Sequence, residues 1–306
     1  MIRPSLSLIL TLLATLANVS VLRAQEAKAP AVDAAPAKEK QAAPAKPQFI
    51  RITRDDKKQP LTLDTAIVSY QPKEKPEGVQ VDLIGALHVA DKSYYEALNK
   101  QFEQYDALLF ELVAPKDVKI PKDRPAGATS AVGTVQVGMK EVLDLAFQLD
   151  CVDYSKPNFV HADMSPDEFS KSMVQRGESF SKMYFRAMGY GLARQDKGLG
   201  MEASLLLSLF SKNRAQKLKL VMAEQLSDID CQMAAMEGPE GSTLLTERNR
   251  KALEVLAREL QAGKKKIGIF YGAAHLSDME TRLFEEFKMQ RSAEAWLPAW
   301  DLQKKK

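Results

Sequence analysis

Histidine is scarce in this chain: three residues in 306, beside two cysteines and two tryptophans. Each shortage excludes something. Cys-X-X-Cys-His does not occur, which removes covalently attached haem. His-Glu-X-X-His does not occur either, so no compact metal-ligand motif is present. Cys151 and Cys231 allow one disulfide in an oxidising compartment, and the sequence leaves open whether they bridge or stay as two buried thiols. Charge of one sign is also in short supply. The formal net charge is +3, and removing Arg3 and Arg23 with an N-terminal leader takes it to +1, which gives no support to nucleic-acid binding. The lysines at 304–306 read as a solvated end. Beyond residue 24 no apolar run is long enough to span a bilayer.

The apolar run at 6–22, with Arg3 before it and Ala24 after it, fits a cleavable signal peptide over residues 1–24. No Cys follows the cut, which argues against a lipid anchor, so a secreted or periplasmic protein is expected. Residues 25–47 are Ala, Pro, Lys and Gln without an apolar period, the composition of a disordered linker. Residues 48–303 are long enough for one domain with a substantial core.

Within that domain the pattern strand, turn, helix, strand is clearest over 81–111. The apolar run 79–84 ends on Gly85, His88 falls in the turn, and Asp91 stands where a helix N-cap belongs. Tyr94, Tyr95, Leu98 and Phe102 share one face of the helix, and the next strand ends on Glu111, where a sheet interior would carry Val or Ile. Residues 267–288 repeat the first half, so Gly-Ala-X-His occurs twice, each time ending a strand.

Around this frame, 48–54 and 62–70 read as strands that form a meander with 79–84, and 113–134 as a long loop positioned to cover a site. Residues 136–150 carry a helical pattern, 158–164 are extended, and Ser165-Pro-Asp-Glu168 begins a helix as a capping box. From 165 to 262 the pattern is helical, broken near 189–200, 213 and 238–241, and eight of the twelve methionines lie between 164 and 236, read first as filling an irregular core. Residues 293–302 read as a closing edge strand able to tolerate Pro298. The fold class expected is α/β (α+β): a mixed sheet flanked by helices, with a large helical insertion between the two Gly-X-X-His motifs.

All three histidines, His88, His161 and His275, lie in marked contexts. Two imidazoles in matching turns and Glu111 at a strand end supply a two-histidine, one-carboxylate set that leaves positions on an ion open for water and substrate. The same trio also suits general acid–base work without metal, with Glu111 orienting one imidazole. Arg248 and Asn249, at the start of the last long helix, are placed to reach the sheet's carboxyl edge.

Ile84-Gly-Ala-Leu-His88, Phe110-Glu111, Glu247-Arg248-Asn249 and Tyr271-Gly-Ala-Ala-His275, in that order over residues 80–290, resemble the TraB/GumN/Tiki family. The resemblance implies an α/β or α+β core related to erythromycin esterases and ChaN-like proteins, with two Gly-X-X-His motifs, a glutamate and an arginine at one site. Some Tiki members are divalent-metal-dependent proteases. It therefore implies metal or catalytic roles for His88, Glu111 and His275, puts Arg248 in the family arginine's place, and points to an ion such as Mn, Co or Zn and to a peptide substrate. Phe159-Val-His161-Ala-Asp163 lies outside that motif set, so His161 and Asp163 are either further site residues or turn caps. Tiki proteins are tethered to a membrane at their C-terminus, and nothing after Ala293 here is able to span one.

Four functions compete on these grounds. The first is a metal-dependent hydrolase of a peptide, with His88, Glu111 and His275 on the ion and Arg248 steadying the oxyanion. The others are a metal-free esterase acting on a small molecule, a haem- or ligand-binding module, and a scaffold without catalysis.

Overall fold

The first three strands, β1 (Ile50–Arg54), β2 (Pro60–Pro72) and β3 (Gln80–Ala86), pair as the antiparallel meander that their β-branched residues lead one to expect. β2 outruns the expected 62–70 because both of its edges are used. β1 and β3 take one edge, and β9 (Met289–Asp301) takes the other from position 62 to 72. Pro60 opens its strand and Pro298 sits at a register shift, places where a missing N–H costs no ladder bond.

From β3 onward the sheet turns parallel. β8 (Lys266–Gly272) lies beside β3, followed by β5 (Ala107–Phe110) and β7 (Phe159–His161), giving the order β1-β2-β3-β8-β5-β7. Val81, Leu83, Ile84, Leu108, Leu109, Ile267 and Ile269 are buried, as befits strands covered on both faces. This mixed sheet with flanking helices is an α/β fold. The computed structural model describes residues 48–74, 78–115, 145–179, 181–183, 186, 213–229, 233, 237, 238 and 240–303. Among them no helix is long and apolar enough to cross a membrane.

Helix α1 (Lys92–Phe102) buries Tyr94, Tyr95, Leu98 and Phe102 as the spacing predicts, and full burial of such side chains stabilises by about 1.5–3 kcal/mol each. Its tyrosines also fasten the turn that carries His88. Tyr94 donates to the Gly85 carbonyl and Tyr95 to that of Leu87, both at 2.7 Å. Asp91 does occupy the N-cap position, but its carboxylate makes no cap bond. Instead Oδ1 accepts from Lys219 Nζ at 3.0 Å and Oδ2 from the Asp301 N–H at 2.6 Å, so a buried lysine has drawn it away from the helix.

The helical pattern expected over 136–150 holds only at 148–150 within its described part, 145–150. Ala146–Phe147 form β6, paired with β4 (Val89–Ala90), and only α2 (Gln148–Cys151) is helical. The open backbone after His88 takes a strand partner, and that tertiary demand outweighs the apolar period. Residues 136–144, most of the 113–134 loop and Cys231 lie outside the described residues. Of the helical stretch 165–262, α3 (Pro166–Gln175), α4 (Arg214–Leu226) and α5 (Arg248–Gln261) are described, and α3 begins with the complete Ser165–Glu168 capping box. Met164, Met173 and Met183 are buried; Met188, Met201 and Met236 lie outside the described residues.

Candidate functional site

Each parallel strand hands a polar side chain to the same carboxyl edge. His88 follows β3, His275 follows β8, Glu111 follows β5 and Asp163 follows β7. Open α/β sheets place ligands at this edge. β8 is inserted between β3 and β5, which brings His275 rather than His88 directly beside Glu111: the two approach to 3.6 Å between Nε2 and Oε1.

The twin Gly-Ala-X-His segments fold differently. His88 is exposed in the loop between β3 and β4, whereas His275 is buried in a single 3₁₀ turn that opens into α6 (Leu276–Glu285). Their glycines do not provide tight turns, since neither lies in the left-handed region. Gly85 runs inside β3, where a Cβ would stand 3.3 Å from the Ala66 carbonyl oxygen and the Thr65 Cβ. At Gly272 a Cβ would stand 3.2 Å from Glu111 Oε2, and its N–H donates to that oxygen at 2.6 Å. Close approach is the reason for both.

Arg248 organises the carboxylates. Its Nη2 donates to Glu111 Oε1 and to Asp163 Oδ2, each at 2.6 Å, and its Nε donates to Asp163 Oδ1 at 2.9 Å. Nη1 has only a long contact, 3.4 Å, to the Leu244 carbonyl. A π-helical turn, Thr243–Glu247, runs into α5 here, and the adjacent Arg248 and Asn249 are both buried at its start. Asn249 donates from Nδ2 to the His275 carbonyl at 3.1 Å and to Asp278 Oδ2 at 2.9 Å, which leaves Oδ1 as acceptor for His275 Nδ1–H at 2.6 Å. His275 Nε2 therefore carries the lone pair.

Electrostatics follow from this packing. Burial pushes the His275 imidazole down, with Arg248 and His88 adding to the effect against Glu111 and Asp163, and the result is about 4. Burial raises the Glu111 carboxyl, yet His275, Arg248, His88 and the Gly272 N–H outweigh it and bring the group down to about 2. At neutral pH His275 is neutral, so Arg248 is the cation that keeps Glu111 ionised. Two buried carboxylates thus share one guanidinium, and the cluster holds a surplus negative charge.

Asp163 and Asn249 join the site, whereas His161 is spent elsewhere. Its Nε2 lies 2.6 Å from the Leu112 carbonyl oxygen and its ring rests against Phe110. Sequence reasoning missed Gln148, whose Oε1 lies 3.1 Å from His88 Nδ1, and Tyr271, whose hydroxyl donates to Ala162 and whose ring stands edge-on to His275. A glutamine inside the apolar run Leu-Ala-Phe-Gln-Leu was the available signal for the first; the second stood at the head of Tyr271-Gly-Ala-Ala-His275 with no role assigned to it.

These donors suit a divalent ion in part. Among the described residues no three His, Cys, Asp or Glu side chains gather as a ready ligand group. The pair His275 and Glu111 does suit one ion: two ligands on bonds of ~2 Å sit roughly 3–3.5 Å apart, and the Asn249 bond is the outer-shell contact that metal-bound imidazoles make. The surplus negative charge is of the right sign. No family model, curated protein or solved structure matches the chain.

Proposed function

We propose that this chain is an exported hydrolase of peptides, with its site at the carboxyl edge of β3, β8, β5 and β7. A divalent ion, Mn, Co or Zn, would be held by His275 and Glu111; the third place, for His88, rests on the family resemblance. The observation that carries this reading is the His275–Glu111 pair: a buried neutral imidazole with its lone pair toward a buried ionised carboxylate, 3.6 Å apart. The resemblance to the TraB/GumN/Tiki family supports it.

When bound, the ion would supply a Lewis acid and a water that deprotonates near neutral pH. The chain's own residues prepare the place. Asn249 holds the proton of His275 on Nδ1, and burial keeps the ring neutral. Arg248 and the Gly272 N–H fix Glu111 in one orientation, and Asp163 in turn fixes Arg248. Nη1 of Arg248 is the donor left for negative charge developing on the attacked carbonyl.

Metal-free, esterase-type hydrolysis is the second reading. It is favoured by the donors already on both Glu111 oxygens and would use His275 Nε2 as general base. Purified protein, assayed on peptide and ester substrates after chelation and after return of each metal, separates the two. Peptide cleavage restored by metal supports the first, and ester cleavage indifferent to chelator supports the second. Absence of bound metal together with absence of both activities overturns them, and a Soret band would point to a haem module instead.

A further inference from the structure

We propose that Gln148, held from behind by Tyr154, is a positioning residue that keeps the His88 ring protonated at Nδ1 and so presents Nε2 as a lone pair to the site. The role in turnover rests on the hydrolase reading; the clamp itself does not.

The clamp is built from the backbone up. β4 and β6 pair Val89 with Phe147 and Ala90 with Ala146, and the next step of that register sets Gln148 opposite His88. The Gln148 N–H donates to the His88 carbonyl at 3.0 Å, so loop and amide travel together. The side chain closes a second contact, Oε1 to Nδ1 at 3.1 Å, and its Nε2 donates to the Tyr154 hydroxyl at 2.8 Å. Gln148 and Tyr154 are both buried, which leaves the amide no water to turn toward. The Tyr154 ring in turn stands edge-on to Phe110 at 5.1 Å and to Phe159 at 5.6 Å. Because Phe110 directly precedes Glu111, the clamp ties His88 to the strand that carries the carboxylate.

The His88 ring is exposed, and the hydrogen bond at one nitrogen decides which tautomer it takes. With the carbonyl end of Gln148 toward it, Nδ1 carries the proton. With the amide reversed, Tyr154 would donate to Oε1 and the proton would move to Nε2, closing that nitrogen to a ligand or a proton from substrate. The two orientations predict opposite tautomers.

Nitrogen-resolved NMR of the chelator-treated full chain at pH 8.5, about two units above the ordinary imidazole value, reads this directly, with His88 assigned through His88→Gln. The expected result is Nδ1–H for His88 in the wild type and in Gln148→Glu, whose carboxylate also accepts, and a shift to Nε2–H in Gln148→Leu. Nε2–H in the wild type, or a tautomer that Gln148→Leu leaves unchanged, overturns the proposal. If Gln148→Leu does not fold, Tyr154→Phe and the wild-type spectrum still decide it. On a cleaved substrate, Gln148→Leu should lower kcat by about 10–100-fold with KM little changed, and Gln148→Glu should recover most of the loss. A Gln148-dependent tautomer in a protein that hydrolyses nothing would keep the clamp and sink only the hydrolase reading.

Discussion

Arg248 is the residue on which the edge turns, because its fork bridges two carboxylates from different strands. A lysine would keep the charge but not the planar donors, and each charge-assisted bond lost costs about 1.5–3 kcal/mol. Arg248→Lys is therefore expected to lose about 2–4 kcal/mol of stability, a Tm drop of about 5–15 °C for a domain of this size, measurable by thermal unfolding. On the hydrolase reading kcat/KM also falls by about 10², since Glu111 loses its anchor. A variant that melts lower but turns over normally would reduce Arg248 to a structural tie. Gly272 carries a complementary prediction. Gly272→Ala pushes a methyl against Glu111 Oε2 and should cost on the order of 1 kcal/mol while disturbing the site, whereas Gly263→Ala opens onto free space and leaves the site intact, though its positive φ strains it.

At the scale of elements, α1 shows how a packing face and a functional turn are made by the same residues. Tyr94 and Tyr95 fill the core and also hold the Gly85 and Leu87 carbonyls, so loosening the helix loosens the His88 turn. Leu98→Ala, in the middle of that face, should destabilise by about 2–5 kcal/mol through lost burial and the cavity left behind. Urea unfolding checks the figure; a loss under about 0.5 kcal/mol would mean that α1 is not packed as described. The β4–β6 ladder is short, two residue pairs, yet it places Gln148.

For the whole molecule, acid is the revealing variable. His275 falls from an ordinary value near 6.5 to about 4 on folding, so its contribution is fully present above pH 6.5 and is lost as pH drops through 4, on the order of 3 kcal/mol. Glu111, depressed to about 2, adds a second loss below its ordinary value as pH falls toward 2. In excess chelator, Tm should be level near neutrality and fall steadily below pH 6.5, and His275→Gln should remove the upper part of that slope. An unchanged slope would show that His275 is not the group responsible. Export has its own check: the mature protein should begin near Gln25 by N-terminal sequencing, and intact Met1 in the extracytoplasmic fraction would refute the leader.

Sequence alone determined the meander, the amphipathic face of α1, the capping box and the chemistry-bearing residues, because each rests on local periods, caps and strand ends. Glu111 was legible as a carboxylate where a sheet interior would carry Val or Ile, His88 and His275 as imidazoles in matching turns, and Arg248 as a cation at a helix start. Tertiary structure decided who stands beside whom. Strand order is a non-local choice, and the insertion of β8 between β3 and β5 gave Glu111 to His275 and left His88 to Gln148. It also decided that the histidines of two nearly identical Gly-Ala-X-His segments differ, His275 buried ahead of a helix and His88 exposed ahead of a strand. The cause is what packs next to each, β6 against one and α5 against the other, and no four-residue motif carries that information.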